Sequence, residues 1–388
     1  MSEPCAAFYT PLKHPMEPEA SGDREIARTL MAALRGCGFA PELASRFLTW
    51  RRIFDPADAE RLERRAAVVA ATLIRRYRRR PAPARPRLWM SYQNYHRCPD
   101  LLGPVVAVAL GIPYVLVDTA TSTRSRTTPF RPWASAARLA LRQADLIFAM
   151  SPRDLPRLEA LRGPRFGADG LRLLPPAIDL SRFDVDPAVR AAQRTRVRAR
   201  FGLGSGPLVL CVAMMRTRDK LDSYRLLATA LTELHAEAPD RTWSLLVVGD
   251  GPARAAVAAL LAPLGPARIR LAGTVEPAAV PALYAAADVF AFPGIGDALG
   301  LVFLEAAAAG LPIVACHGPG PDFMVAPGGG VLTAPAPEAF AAGLRGLLDD
   351  PAARERLGQA GRRFVATERT METLVVRLGD GLARLGLP

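Results

Sequence analysis

Two carboxylates near the end of the chain stand eight residues apart in a pattern that suggests a ligand site. Asp297 follows an apolar run at 288–293 that predicts a strand, and Glu305 lies in an apolar stretch that predicts a short helix. Eight residues are about two helical turns, so both acids are expected on one face, about 12 Å apart. That span suits a ligand with a ribose at one end, a sugar at the other and a diphosphate between them.

Glu305 is the more informative of the two acids. Its neighbours are Leu304 and the alanines at 306–309. A carboxylate in so apolar a helix needs a polar partner, because an unpaired buried charge is costly. The diol of a ribose would serve as that partner.

Three further polar segments of the second half each follow a predicted strand. The carboxyl ends of parallel strands meet at one edge of a sheet, so these segments are expected to converge there with the two acids. They are Arg216 with Lys220 after the strand at 207–213, Gly249, Asp250 and Gly251 after the strand at 243–248, and Val275 after the strand at 269–273.

Each of these segments has a plain structural interpretation beside the functional one. Arg216 and Lys220, at i and i+4, can meet one diphosphate or simply form a solvated helix face. Gly249 and Gly251 allow a ligand to approach the backbone closely, but Gly-Asp-Gly is also an ordinary tight turn. The functional interpretation depends on all of them occurring together.

The elements that must position these residues alternate between strand and helix along both halves of the chain. This alternation predicts an α/β protein of two doubly wound parallel sheets, with ligands at the carboxyl ends of the strands. For 388 residues, two domains are expected. The predicted parts are a domain at 1–185, a helical linker at 186–206, a domain at 207–365 and a final helix at 366–388 that packs back on the first domain.

The first half offers one generic anion site. Ser21 and Gly22 precede an amphipathic helix with Ile26 and Leu30 on its apolar face. Ser21 is expected as the helix N-cap. The free N–H groups and the dipole of a helix start favour an anion at this position.

Composition limits the remaining function classes. The net charge is +13, yet only Lys13 and Lys220 are lysines, and both flank a candidate phosphate loop. The run Arg75–Arg80 suggests either a solvated helix end or a contact with an anionic membrane surface. Nucleic acid is disfavoured, because no aromatic residues alternate with the cations. The polar loop at 119–132, with Arg124, Arg126 and Arg131, is expected to be functional.

Targeting and redox features agree with a cytoplasmic protein. No uncharged apolar run is long enough for a membrane span, and the start of the chain lacks a secretory pattern. The five cysteines are scattered, with no Cys-x-x-Cys spacing, so reduced thiols are expected and a structural zinc site is not. We therefore predict a cytoplasmic chain that contacts the inner face of the membrane at most peripherally.

The motifs of the second half together resemble the C-terminal domain of glycosyltransferase family 4, a retaining family with the GT-B fold. The resemblance covers 207–365 and implies two Rossmann-like domains that face each other across a cleft. The residues that carry it are Arg216 with Lys220, Val247-Val248-Gly249-Asp250-Gly251-Pro252, Gly273-Thr274-Val275, and Asp297 followed eight residues later by Glu305 and then by Gly310-Leu311-Pro312.

The resemblance implies a role for each matching residue. Arg216 and Lys220 would neutralise the leaving diphosphate of the donor, and the backbone N–H of Gly22, beside Ser21, would cap it. Glu305 would hold the ribose hydroxyls. The backbone near Val275 would hold the base, and Gly249, Asp250 and Gly251 would also bind the donor. Asp297, with Gly300 and Leu301 beside it, would contact the donor sugar. The family is typically metal-independent, so no metal or other cofactor is expected, and the cations stabilise the leaving group instead.

One catalytic assignment stays open. Family members often place a His after a strand of the first domain, where it touches the donor sugar. His96 is the nearest candidate, although it could instead pack on Tyr95, and Gln93 could occupy the family position. Asp297 stands where the family usually has Glu, and Gly294 stands where it has Ser, so the identity of the sugar is open.

The resemblance and the residues together predict a bacterial, metal-independent, retaining glycosyltransferase of polysaccharide biosynthesis. It would move a sugar from a nucleotide-diphosphate donor to a hydroxyl of a glycan, a lipid-linked sugar or a small metabolite. A nucleotide-sugar 2-epimerase on the same fold is one alternative, although no acid–base set for it can be identified. A non-catalytic protein that binds nucleotide sugars or anions is the other.

Overall fold

The chain divides into two compact units in a computed structural model, which describes residues 3–19, 21–119, 129–161, 170–184 and 186–387. The first unit comprises Met1–Pro176 together with Met371–Pro388, and the second comprises Ala177–Thr370. Each unit has its own parallel sheet, and the predicted architecture of two doubly wound α/β sheets is confirmed.

Six parallel strands form the sheet of the first unit. Its central strands are buried on both faces, as the strand residues 6–9 and 114–117 illustrate, because helices cover a parallel sheet on both sides. The strands are β1 (Cys5–Tyr9), β2 (Ala40–Leu43), β3 (Pro86–Asn94), β4 (Tyr114–Thr119), β5 (Leu146–Ala149) and β6 (Leu171–Leu173), in the order β2-β1-β3-β4-β5-β6.

The helices of the first unit begin where the sequence offers start signals. Asp55 accepts a hydrogen bond from the Ala57 N–H at the start of the longest helix, and Pro56 occupies its first position. Ile26 and Leu30 lie on the buried face of the first helix, as predicted. The described helices that follow these strands are α1 (Gly22–Gly36), α2 (Pro56–Arg78), α3 (Gly103–Leu110), α4 (Arg131–Gln143) and α5 (Leu155–Glu159).

A second sheet of six parallel strands forms the centre of the second unit. The strands at 208–212 and 244–248 lie side by side in its middle, which brings the turns after them together. The strands are β7 (Leu208–Val212), β8 (Ser244–Val248), β9 (Ile269–Gly273), β10 (Val289–Ala291), β11 (Ile313–Cys316) and β12 (Gly330–Thr333), in the order β12-β11-β10-β7-β8-β9.

The helices of the second unit pack on this sheet around one apolar core. They are α6 (Pro187–Phe201), α7 (Asp219–Glu237), α8 (Arg254–Leu261), α9 (Val280–Ala286), α10 (Leu301–Ala308), α11 (Pro321–Met324), α12 (Pro337–Asp349) and α13 (Pro351–Glu368).

The segment at 186–206, which the sequence suggests as a linker, contains α6 and is packed within the second unit. Arg194 and Arg198 on α6 form ion pairs with Asp288, whose carboxylate also accepts the Leu208 N–H. The final helix, α14 (Met371–Ala383), belongs to the first unit, where Val375 packs against Gly36 of α1. Within the described residues, no helix combines the length and the apolar character needed to cross a bilayer.

Candidate functional site

The predicted donor residues of the second unit all follow strands that are neighbours in its sheet. The strands β10, β7, β8 and β9 are adjacent and parallel, so the loops after them share one edge. Lys220 lies in the first turn of α7, after β7, and Glu305 lies in α10, after β10. The structure thus brings the sequence-predicted cations, the glycine turn and both acids to a single edge.

Lys220 and Asp297 form an ion pair at this edge. The ammonium nitrogen lies 2.8 Å from the carboxylate of Asp297. The same ammonium lies 4.6 Å from the ring centroid of Phe292, which provides a cation–π contact. The side chain of Asp297 is only 11% exposed, so this pair is held more firmly than an ordinary surface salt bridge.

The structure places Arg216 outside the helix on which the sequence pattern would put it together with Lys220. The helix α7 begins at Asp219, and Arg218 before it has a left-handed backbone with φ of 67°, so Arg216 lies in the loop outside the helix. The interpretation of Arg216 and Lys220 as an i and i+4 pair on one helix is therefore wrong. The exposed Arg216 guanidinium contacts only the sulfur of Met214 at 3.1 Å among the hydrogen-bond partners of the described residues.

Glu305 has the polar partner that its apolar surroundings require. The hydroxyl of Tyr284 donates a hydrogen bond of 2.7 Å to Glu305 Oε2. Tyr284 is fully buried on α9, and that burial raises its pKa well above the ordinary value, with the nearby Glu305 charge adding to the effect. The phenol therefore stays protonated and remains a donor to the carboxylate.

Asp297 and Glu305 do not lie on one helix face, so that prediction is wrong. The helix α10 begins only at Leu301, and Gly300 before it has φ of 80°, which breaks the helical path. A side chain at Gly300 would also approach the ring of Phe303 to 2.8 Å. Asp297 therefore belongs to the loop after β10, whereas Glu305 lies in α10, and both follow the same strand at this sheet edge.

The turn after β8 depends on its two glycines. A Cβ at Gly249 would stand 2.0 Å from the Ala213 carbonyl oxygen, and one at Gly251 would stand 2.4 Å from the Met215 carbonyl oxygen. Both glycines also have positive φ, 138° and 153°. The turn after β8 thus packs directly on the loop after β7, where Met215 donates its N–H to Asp250. The two glycines therefore allow the backbones of these two loops to approach each other closely.

The remaining predicted donor residues line the same edge. Val275 follows β9 and is half-buried against the core, as is Leu301 at the start of α10. Asp250 Oδ2 accepts a hydrogen bond of 3.0 Å from Arg254, and its Oδ1 accepts the N–H of Gly251. Asp250 therefore shapes the turn itself.

In the first unit, side chains at the start of α1, where the sequence predicts an anion site, form contacts with one another. Gly22 is the first residue of α1 and Ser21 is at the N-cap position, as predicted, but the Ser21 side chain does not cap the helix. Its hydroxyl accepts a hydrogen bond of 2.8 Å from Lys13, which also pairs with Asp23 at 2.5 Å. One of the two lysines of the chain is thus at the helix start, next to the N–H groups expected to bind an anion.

The ends of β3 and β4 carry two strained residues. Gln93 has φ of 72° and Asp118 has φ of 57°, a left-handed conformation that side chains other than glycine rarely adopt. The Gln93 amide donates a hydrogen bond of 3.0 Å to Asp23. Burial, with the charges of Asp154 and Asp23, raises the pKa of Asp118 to about 6. Sequence reasoning missed Asp118, although an Asp directly after an apolar strand was a signal for it.

His96 is packed among aromatic rings. Its ring centroid lies 5.8 Å from that of Tyr95 and 5.7 Å from that of Phe130, both with edge-on geometry. Burial, with the charge of Arg97, lowers the pKa of His96, so the imidazole is neutral at physiological pH. This packing on Tyr95 is the structural alternative that the sequence left open.

Two residues that support this edge of the second sheet were also missed. Tyr284 and Phe292 contact Glu305 and Lys220 but carry no motif of their own. The signal for Tyr284 was a hydroxyl-bearing ring within an otherwise apolar helix, which must find a partner when buried.

The basic segments of the first unit are partly engaged in the fold. Arg76 and Arg80 pair with Glu42, and Arg78 donates a hydrogen bond of 2.7 Å to the Ala109 carbonyl. In the loop at 119–132, Arg124 and Arg126 lie outside the described residues, and Arg131 is the first residue of α4.

Comparison with known proteins gives matches in sequence. A family model described as Glycosyl transferases group 1 matches residues 206–350. A GDP-mannose-dependent alpha-(1-6)-phosphatidylinositol monomannoside mannosyltransferase of Mycolicibacterium smegmatis is 34% identical over 261 residues, which are 64% of this chain and 65% of that protein's length. A 2-deoxystreptamine glucosyltransferase of Streptomyces kanamyceticus is 32% identical over 285 residues, 69% of this chain and 70% of that protein.

Comparison with solved structures gives a match in fold. Sucrose-phosphate synthase from Thermosynechococcus elongatus superimposes with a TM-score of 0.73 over 99% of both chains, at 20% sequence identity. At this level of identity the likeness concerns the fold, and it agrees with the two-sheet architecture predicted from the alternation of strands and helices.

Proposed function

The chain belongs to the glycosyl transferases group 1 family, as its resemblance to glycosyltransferase family 4 predicted, and on this premise we propose that it is a retaining glycosyltransferase. It would transfer a sugar from a nucleotide-diphosphate donor to an acceptor hydroxyl. The observation that carries the proposal is the sheet edge of the second unit. There, the Lys220–Asp297 pair and the Tyr284–Glu305 pair stand at the ends of β7 and β10, beside the glycine turn after β8.

Each group at that edge has a task that matches its chemistry. Glu305, held by Tyr284, accepts hydrogen bonds from the ribose hydroxyls of the donor. Lys220 and Arg216 stabilise the negative charge that develops on the departing diphosphate. Asp297 accepts hydrogen bonds from the sugar hydroxyls while it orients the Lys220 ammonium. Gly249 and Gly251 let the turn after β8 pack on the loop that carries Arg216.

The reaction is balanced without an enzyme base. The bond between the sugar C1 and the diphosphate oxygen breaks, and a bond between C1 and the acceptor oxygen forms on the same face. The acceptor proton passes to the departing diphosphate oxygen. Since two cations compensate the charge of the leaving group, we propose that transfer needs no metal ion.

The donor and acceptor to test first follow from the relatives. The mycobacterial relative is named for GDP-mannose and for a phosphatidylinositol monomannoside, and the Streptomyces relative is named for 2-deoxystreptamine. We propose that this chain likewise takes a polyhydroxylated ring as acceptor, either lipid-linked or free. The first unit would bind it.

We further propose a cytoplasmic protein that contacts the inner membrane surface peripherally. Arg76 and Arg80 are paired with Glu42, so Arg75, Arg78 and Arg79 would carry most of the electrostatic attraction at the end of α2. Nucleic acid is not proposed as a partner.

A thermal-shift panel of GDP-, UDP- and ADP-sugars, run on the native chain and on Glu305→Ala, tests the donor site. Stabilisation by one nucleotide family that is lost in the variant is the expected result. Release of the nucleoside diphosphate on addition of acceptor would then establish transfer. If the donor bound but no acceptor tested gave a product, a non-catalytic binding protein would be favoured.

A further inference from the structure

The first unit contains a groove that the proposed donor chemistry does not use. It lies between the loop after β1, the loop after β2 and the long helix α2, and its volume is about 510 Å³. Its lining residues fall into a polar group and an apolar group. The polar group is His14, Ser45, Arg46, Thr72 and Arg76, and the apolar group is Met16, Leu43, Ala44, Val68, Val69 and Leu73.

The polar group of the groove is cationic. Arg46 is exposed, and it forms no ion pair with any described residue. Arg76 lines the groove as well, although its charge is shared with Glu42 at 3.4 Å and its guanidinium also donates to the Tyr77 hydroxyl at 2.8 Å. At least one full positive charge is therefore available to a ligand in the groove.

His14 adds a hydrogen-bond donor that lacks an acceptor. The residue is only 4% exposed, and its Nδ1 accepts the Met16 N–H at 3.4 Å. Burial, with the charges of Arg46 and Arg24, lowers the pKa of His14, so the ring is neutral and its proton is on Nε2. Nε2 is buried and has no hydrogen-bond partner among the described residues. A buried N–H without an acceptor is costly, and a ligand oxygen would remove that cost.

The apolar group includes two side chains that face solvent. Val68 on α2 is 67% exposed and Met16 in the loop after β1 is 64% exposed. Both line the groove beside the buried Leu73. Exposed large apolar side chains beside a concave, cationic surface are typical of a site that binds an amphiphile.

We propose that this groove binds the anionic headgroup of an amphiphile such as a phospholipid. The phosphate oxygens would accept hydrogen bonds from Arg46, Arg76 and His14, and the adjoining apolar chain would lie against Val68 and Met16. The opposite charges of groove and headgroup argue for this occupant. The inference rests on the proposed function, because it assigns an anionic lipid to the first unit, which is the unit proposed to bind the acceptor.

Sedimentation with two kinds of vesicle tests the groove. One kind contains phosphatidylcholine alone, and the other contains equal parts of phosphatidylcholine and phosphatidylglycerol. We expect binding to the anionic vesicles, and a loss of about tenfold in partitioning for Arg46→Glu and for Val68→Asp. Both positions are exposed, so both variants are expected to keep the unfolding temperature of the native chain.

Matched variants separate the groove from general surface charge. Arg64→Glu changes an exposed arginine of α2 outside the groove, and Val108→Asp changes a valine on α3 that is 56% exposed. Both should bind vesicles within about twofold of the native chain. An equal loss for Arg64→Glu and Arg46→Glu would overturn the proposal, as would a loss for Arg79→Glu with none for Arg46→Glu.

Glycerol 3-phosphate distinguishes a lipid from a free phosphate. If it raised the unfolding temperature of the native chain and of Val68→Asp equally, while neither bound vesicles, the ligand would be a soluble phosphate and the amphiphile proposal would be wrong. Absence of binding to both vesicles and to glycerol 3-phosphate would also overturn it. Neither result would bear on the donor site, which the nucleotide-sugar panel tests separately.

Discussion

The ammonium of Lys220 and the carboxylate of Asp297 lie 2.8 Å apart, with the Phe292 ring 4.6 Å from the ammonium. The cation comes from the helix after β7 and the anion from the loop after β10, two neighbouring strands of one sheet. Each group therefore holds the other in place. A diphosphate that binds Lys220 would find the ammonium already positioned, with its flexible stem restrained by both contacts.

Removal of the Lys220 charge should reduce turnover far more than it reduces stability. For Lys220→Met we expect kcat to fall by about 10²–10³-fold, because one stabiliser of the leaving-group charge is lost. Asp297→Asn should also lower kcat, since the ammonium loses its orienting partner. Steady-state kinetics with the donor identified by the thermal-shift panel would measure both.

Asp349→Asn is the matched control for the ion pair. Asp349 pairs with Arg241 at 3.0 Å in the same unit, on α12. Its substitution should leave kcat unchanged within about twofold, because an exposed ion pair contributes little. A comparable drop in kcat for Asp349→Asn and Asp297→Asn would contradict a specific role for the Lys220–Asp297 pair.

The Tyr284–Glu305 hydrogen bond should control donor affinity. In Tyr284→Phe the carboxylate loses one donor but can still accept from a ribose, so we expect Kd for the nucleotide sugar to rise by about tenfold. Glu305→Gln should raise Kd further, because charge-assisted hydrogen bonds are stronger than neutral ones. Calorimetric titration with the donor provides the values. Unchanged affinity in Glu305→Gln would exclude Glu305 as the ribose ligand.

The glycine turn after β8 should not tolerate a methyl group. In Gly249→Ala the new Cβ would meet the Ala213 carbonyl oxygen at 2.0 Å, and the backbone has φ of 138°, so we expect a loss of about 2 kcal/mol or more. Gly346 in the middle of α12 is the control, since nothing lies within 4 Å of its Cβ position. Gly346→Ala should stabilise by about 0.5–1 kcal/mol. Chemical denaturation measures both, and equal effects would show that the turn is not closely packed.

Asp118 should make the stability of the fold depend on pH between about pH 4 and pH 6. Its pKa is about 6 in the folded chain and 3.8 as the ordinary value, so the ionised carboxylate destabilises the fold at pH above 6. The penalty fades as the pH falls and is absent below about pH 4, where the group is protonated in both states. Asp118→Asn should therefore raise the unfolding temperature at pH 7.5 and have little effect at pH 4.

Thermal unfolding across this range, with Asp240→Asn as an exposed control, tests the role of Asp118. The groups that face it are Asp154 and Asp23, which disfavour its charge, and Gln93, which donates a hydrogen bond to it. If Asp118→Asn raised the unfolding temperature equally at both pH values, the stabilisation would not come from removal of the carboxylate charge.

The sequence by itself determined the two-sheet fold and the set of residues at the carboxyl edge of the second sheet. Strand and helix periodicity is local, so the order of elements could be predicted from short windows, and β9 (Ile269–Gly273) was predicted with its observed bounds. Residues that follow parallel strands lie at one sheet edge, so Lys220, Gly249 and Glu305 could be grouped from the sequence alone. The short strand β12 was missed, because a run of four residues carries too weak a pattern.

Only the tertiary structure decided which side chains are partners. The pairing of Lys220 with Asp297 and of Glu305 with Tyr284 joins residues 77 and 21 positions apart, and no local pattern encodes such distances. The left-handed Gly300 moved Asp297 off the helix that the spacing suggested. The raised pKa of Asp118 arises from burial against Asp154 and Asp23, which come from separate elements of the first unit. Spacing thus placed these residues near one another, whereas packing fixed their contacts and their charge.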